Sequence, residues 1–248
     1  MNLVNGFILI LFIAICLISF LKLKGKAIAV YLTVCFIAIM SSYAAIRALN
    51  GSDFSLTLQG SLISGDVRLH VDALSAWFML IINFAFLSGG FYGLFYMNAY
   101  KDQPKNLSLH GILFLLLHAS LISLCVIQNS IVFLIAWEIM ALSAFLSVIF
   151  EHEKPDTIKA GINYLIQSHV SILFLMIGFI WVASQTGSYD FDAIRTYSMT
   201  HKGPVSELLF LTFFTGFASK QVSYLFTPGC HMRIRLHRLT FQVSCRVC

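Results

Sequence analysis

Residues 130–150, SIVFLIAWEIMALSAFLSVIF, form an apolar run with a single acid, Glu138, close to its middle. A helix needs about 20 such residues to cross the hydrocarbon of a bilayer, and a carboxylate at that depth costs roughly 2.5–3.5 kcal/mol on insertion scales. That cost admits two readings: a protonated acid hydrogen-bonded between helices, or a site that binds a proton or a cation. Intramembrane acids are functional by default, which favours the second. A basic group lies further on, where SELLFLTFFTGFASK reaches Lys220. A lysine after so apolar a stretch must snorkel, or face a wet interior and pair with an acid. Glu138 is the acid available to it. Each charge stabilises the other, so the pair can load and release a proton.

Three histidines lie in apolar runs. His169 stands beside Gln167 and Ser168, a setting that suits an internal polar path. Imidazole titrates near neutral pH and can relay protons where an ammonium would stay charged. His110 and His118 fall on a broadly common face of one span, which suits packing and interhelical hydrogen bonds at least as well as relay. The loop EHEKPDTIKAG brings Glu151, His152, Glu153 and Asp156 together, but with no second ligand cluster it reads as a solvated loop, and no metal site is expected there.

The elements that must position these residues are membrane helices. With 58% hydrophobic and 11% charged residues and a mean hydropathy of +0.85, the chain is expected to be an all-α, polytopic transmembrane helix bundle. Spans are predicted at about 3–22, 27–48, 73–97, 109–127, 130–150, 162–184 and 206–220. Lys22, Lys24, Lys26, Lys101, Lys105, Lys154 and Lys159 fall in links on one side, against Arg47, Arg68, Arg195 and Lys202 on the other. By the positive-inside rule the N-terminus is outside, and the first span serves as a retained insertion signal. The link NGSDFSLTLQGSLISGDVRLHVD alternates between turn residues and suits a small hairpin, with Asp72 capping the following helix. Pro104 reads as a breaker, and 185–205 as a connector. Cys16, Cys35 and Cys125 sit singly in apolar runs, and no disulfide framework is implied.

The run FLIAWEIMALSAFLSVIFEHEKPDTIKAGINYLIQSHVSILFL, with DALSAWF at 72–78 and GFASK at 216–220, resembles the antiporter-like membrane subunits of respiratory complex I, Mrp-type cation/proton antiporters and membrane-bound hydrogenases. It looks most like the hydrogenase-4 component B and formate hydrogenlyase branch. The resemblance implies the N-terminal half, about seven helices, of a fourteen-helix bundle with inverted repeats and helices broken near a polar centre. It also implies that Glu138 matches the essential acid of the fifth helix and Lys220 the broken-helix lysine of the seventh. The ionisable residues of the family's eighth and twelfth helices have no counterpart here.

After Lys220 the family pattern AGxxPxHxWLPxAHPxAPSxVS is missing. The tail, back-translated with suitable codons and regrouped after one restored base, reads AGIIPFHTWLPHAHPAA and onward through PSHVSGVMSGV. Residues 1–220 are therefore read as a transmembrane domain and 221–248 as an aberrant tail from a one-base deletion. On this reading Cys230, His231, His237, Cys245 and Cys248 are accidental neighbours rather than a zinc cluster, and the tail's arginines are not a lipid patch. The chain's net charge of +5 carries no nucleic-acid signal, since four arginines and no acid lie in those last residues.

The function expected is proton translocation by a subunit of a hydrogenase or NADH:quinone oxidoreductase-type complex. Glu138, Lys220 and His169 are the proton-transfer residues. Redox chemistry and its cofactors would reside in other membrane and peripheral subunits, none being held by this chain, with lipid around it and the plasma (inner) membrane as its place. A cation/proton antiporter subunit, and an inert product of a frame-shifted gene, are the alternatives.

Overall fold

The computed structural model describes residues 3–21, 23–51, 54–60, 65–96, 104–149, 155–201 and 203–226. They divide into two units, Met1–Ser143 and Ala144–Cys248. The first holds α1 (Leu3–Phe20), α2 (Leu23–Leu49), strands β1 (Phe54–Leu58) and β2 (Val67–Val71), α3 (Ala73–Tyr96), α4 (Pro104–Val126) and most of α5 (Ser130–Val148). The second holds α6 (Pro155–Thr186), α7 (Phe191–Thr200) and α8 (Pro204–Phe226).

The long helices follow the expected spans. Among the described residues, Gly25–Leu49, Ala73–Phe95, Leu107–Val126, Ser130–Val148 and Ile158–Thr186 are long and apolar enough to cross a membrane. Their starts differ from expectation in an instructive way. Pro104, expected to be a breaker, opens α4, and Pro155 and Pro204 likewise open α6 and α8. A proline in the first turn loses nothing, because its missing N–H would have had no intrahelical partner, and its fixed φ is already helical.

The connector expected at 185–205 instead contains α7. Gly187 turns the chain at a φ of 68°, Asp192 places an acid in the first turn of α7 where the helix dipole favours it, and Phe191 stacks on Phe179 of α6 at 5.7 Å. The helix is too short and polar to register as a span.

Within the first unit α2 is the central helix, packing against α1, α3 and α4. Ile37 and Ala45 of α2 share one core with Ala76 and Met79 of α3, Ile122 of α4 and Val71 of β2; Val34 shares a second with Ile18 and Leu115. Gly111 sets the approach of α4 to α2, since a Cβ there would lie 2.8 Å from Val30 Cγ2.

The hairpin forms as expected, antiparallel with Phe54 opposite Val71 and Leu58 opposite Val67. Val67, Leu69 and Val71 face inward, the period-two pattern of a strand with one covered face. At its end Asp72 caps α3, its Oδ1 accepting from the Ser75 N–H at 2.6 Å. That bond holds the Asp72 carboxyl below the ordinary carboxylate range. Because the folded pKa is depressed, the cap's contribution is complete above the unfolded value of about 3.9 and is lost as pH falls through the folded one. Asp72→Ala is expected to cost about 1 kcal/mol at neutral pH. The gap between wild type and variant should close in acid, as read by thermal unfolding in detergent at a series of pH values; a gap that persists below the carboxylate range would refute the cap.

Candidate functional site

Helix α5 carries the acid, and its start is fixed from both sides. Asn129 is almost fully buried, and its Oδ1 accepts from the backbone N–H groups of Ile131 (3.1 Å) and Val132 (3.3 Å). Immediately before it, Gln128 donates its N–H to the carbonyl of Arg68 on β2 at 2.9 Å, and Ile127 forms a bridge with Leu69. The hairpin thus anchors the turn from which α5 departs. Along the helix Phe133, Ala136, Met140, Ala141 and Ser143 are buried, and the rings of Phe133 and Trp137 meet at 5.7 Å. Glu138 is half-buried, with its Oε2 and the neighbouring Trp137 Nε1 both closed off from the surface.

The other two expected residues belong to the second unit. His169 stands on the exposed face of α6, its Nδ1 2.9 Å from the carbonyl of Leu165. A carbonyl only accepts, so Nδ1 carries the hydrogen and Nε2 is the atom that takes up a proton. Behind it, Ser168 is buried, and neither its hydroxyl nor Gln167 Oε1 has a hydrogen-bond partner among the described residues. One turn on, Ser171 donates to the carbonyl of Gly216 on α8 at 2.5 Å. Gly216 allows that approach, because a Cβ there would lie 2.9 Å from Leu175 Cγ.

The backbone of Lys220 lies in α8, which runs unbroken from Pro204 to Phe226; the break expected near this lysine is not seen. The side chain of Lys220 lies outside the described residues, as do the loop residues Glu151, His152 and Glu153 and the tail from 227 onward.

Sequence reasoning missed the best-defined polar cluster. Asn83, in the middle of α3, donates through Nδ2 to Ser41 Oγ (2.8 Å), Ser42 Oγ (2.9 Å) and the Ala38 carbonyl (3.3 Å), all on α2. Its Oδ1 then faces His118 Nε2 of α4 at 3.0 Å. That orientation makes Nε2 the donor and leaves Nδ1, buried and without a partner among the described residues, as the acceptor. The ring stacks on Phe86 at 4.4 Å, and His118 is fully buried. The one available signal was a lone asparagine inside an apolar span, a residue type that bonds across helices.

These helices, apolar over membrane-spanning lengths and stitched by internal polar groups, define a multi-pass helical membrane protein. Residues 128–228, which include Glu138, His169 and Lys220, match the NADH:quinone oxidoreductase/Mrp antiporter transmembrane family. The chain is 33% identical over 155 residues to hydrogenase-4 component B of Escherichia coli K12, an alignment that covers 62% of this chain and 22% of that protein. It is 27% identical over 129 residues to the putative antiporter subunit mnhA2 of Staphylococcus aureus MRSA252, with 52% and 16% covered.

Among solved structures it resembles the membrane-bound sulfane sulfur reductase, an archaeal respiratory membrane complex (TM-score 0.65, 20% identity, 86% of this chain and 33% of that chain). It also resembles the Mrp complex of Dietzia sp. DQ12-45-1b (TM-score 0.60, 16% identity, 88% and 23%). The chain therefore spans less than a quarter of the length of either curated relative.

The Asn83 cluster makes its own prediction. A single interhelical hydrogen bond in a membrane protein averages about 0.6 kcal/mol, but Asn83 serves several groups at once, and stranding buried polar atoms costs about 1–3 kcal/mol. Asn83→Leu is expected to lose about 2 kcal/mol and His118→Leu about 1 kcal/mol, with the double variant losing less than their sum. Unfolding by denaturing detergent in mixed micelles measures all three, and strictly additive losses would show that the two residues act independently.

Proposed function

We propose that this chain is part of a proton-translocating membrane subunit of a hydrogenase or NADH:quinone oxidoreductase-type complex. The observation that carries this is the position of Glu138: mid-helix on α5, one oxygen buried, inside the stretch that matches the antiporter family. The higher identity to hydrogenase-4 component B than to the antiporter subunit supports the redox-coupled reading.

In this reading Glu138 holds the proton, Lys220 sets its affinity, and His169, with Nε2 as its accepting atom, passes the proton along buried water. Partner membrane and peripheral subunits supply the electron chemistry. The protein sits in the plasma (inner) membrane with its N-terminus outside, and residues 221–248 are read from a shifted frame. The antiporter relatives support a second reading, a cation/proton exchanger subunit that needs no redox partner.

The test uses the gene with its frame restored after codon 220, expressed with its neighbours and assayed in inverted membrane vesicles. Glu138→Gln is expected to lower proton uptake by about 100-fold or more, while Glu138→Asp keeps a measurable part of it. Uptake driven by electron donors supports the first reading; a proton gradient collapsed by added sodium without any donor supports the second. Full pumping by Glu138→Gln ends both.

A further inference from the structure

At the end of the first unit where α2 begins, α3 ends and α4 begins, the helices part around a cleft of about 70 Å³. Its lining includes Lys26, His110 and Phe114, with Gly89, Gly90 and Gly93 of α3 along one wall. Lys26 is 9% exposed, and its ammonium donates to the Ser108 hydroxyl of α4. The residues sit near the ends of their spans, Lys26 at the start of Gly25–Leu49, Gly93 at the end of Ala73–Phe95 and His110 at the start of Leu107–Val126. The cleft therefore opens at headgroup depth. The positive ends of α2 and α4 meet here against the negative end of α3, and the sequence adjoining these ends carries Lys22, Lys24, Lys101 and Lys105 against the single acid Asp102.

The glycine wall separates internal packing from something external. A Cβ at Gly90 would lie 3.2 Å from Tyr31 Cδ2, so that glycine serves the contact of α3 with α2. A Cβ at Gly93 would meet nothing within 4 Å. Glycine inside a helix is less favourable than alanine by about 1 kcal/mol, and no contact among the described residues requires it at 93. The open space there adjoins a buried cation and is walled mainly by apolar atoms. Such a site matches an amphiphile with an anionic head.

We propose that this cleft binds an anionic phospholipid, its phosphate against Lys26, Ser108 and His110 and an acyl chain along Gly93. The lysine ammonium donates hydrogen bonds that phosphate oxygens accept, and Gly93 leaves room for the first methylenes.

The test is native mass spectrometry of the purified chain after delipidation and re-exposure to phosphatidylglycerol or phosphatidylcholine. One phosphatidylglycerol per chain is expected to remain bound, with phosphatidylcholine held far more weakly. Lys26→Gln should weaken retention of phosphatidylglycerol about tenfold. Gly93→Leu should also expel the lipid while leaving the ammonium in place, and because its side chain enters open space the variant keeps the helical circular dichroism of wild type. Equal retention of both lipids, or retention unchanged in either variant, overturns the proposal. So does inorganic phosphate binding at Lys26, followed by ¹⁵N-lysine NMR, in a chain that holds no lipid: that outcome assigns the cleft to a free anion.

Discussion

The structure depends on one rule of the bilayer: a polar group placed in hydrocarbon must find its partner inside the protein. In the first unit that rule is met at Asn83, which joins α2 to α4 through Ser41, Ser42 and His118. In the second it is met where Ser171 of α6 reaches the Gly216 carbonyl of α8. Apolar contact alone does not select one register of helix on helix in lipid, because the tails are as apolar as leucine. The hydrogen bonds do select it, since sliding α3 by one turn would strand several polar atoms at once and sliding α6 on α8 would strand the Ser171 hydroxyl. Small residues complete the arrangement, with Gly111 admitting Val30 and Gly216 admitting Leu175.

Against that background the acid on α5 is held differently. Its helix is fixed at the N-terminal end by the Asn129 cap and the strand bond from Gln128 to Arg68. The hairpin thus has a positional task although it lies outside the spans: β2 spends a backbone carbonyl on the link before α5 rather than on a further strand. A helix aligned at its start carries a residue two turns on at a defined depth, and that is what a carboxyl midway through a bilayer needs. In the proposed role, Glu138 changes charge while the surrounding helices keep their register.

How much of this could be read beforehand follows from the range of each interaction. The spans were legible because about 20 consecutive apolar residues match the thickness of a bilayer and little else in a folded chain, and the hairpin because turn residues bracket a period-two stretch. Asp72 was legible as a cap since capping is local. Helix α7 was not, being held by Phe191 on Phe179, a contact that sequence spacing does not reveal. Pro104 was misread because breaking and starting a helix look alike in composition. Glu138 announced itself through its cost. Lys26 was counted only as a topological charge, and Asn83 passed unnoticed, because the partners of both lie on helices remote in sequence.

The unbroken α8 bears on the same rule. A break in a membrane helix is tolerated where side-chain hydroxyls can satisfy the backbone groups it frees. Near GFASK that provision is already in place: the Gly216 carbonyl accepts from Ser171 at 2.5 Å and from Ser219 at 3.0 Å. Hydroxyls bonded back to a helical carbonyl compete with the ladder and favour bending, and Gly216 adds backbone freedom at the same point. The continuous helix and a helix broken before Lys220 thus differ by little hydrogen bonding at this carbonyl. The resemblance placed a break here, and the structure places here the groups that would lower its cost. In lipid those are two aspects of one requirement, since a lysine brought to a polar centre needs its own backbone satisfied before its charge can be.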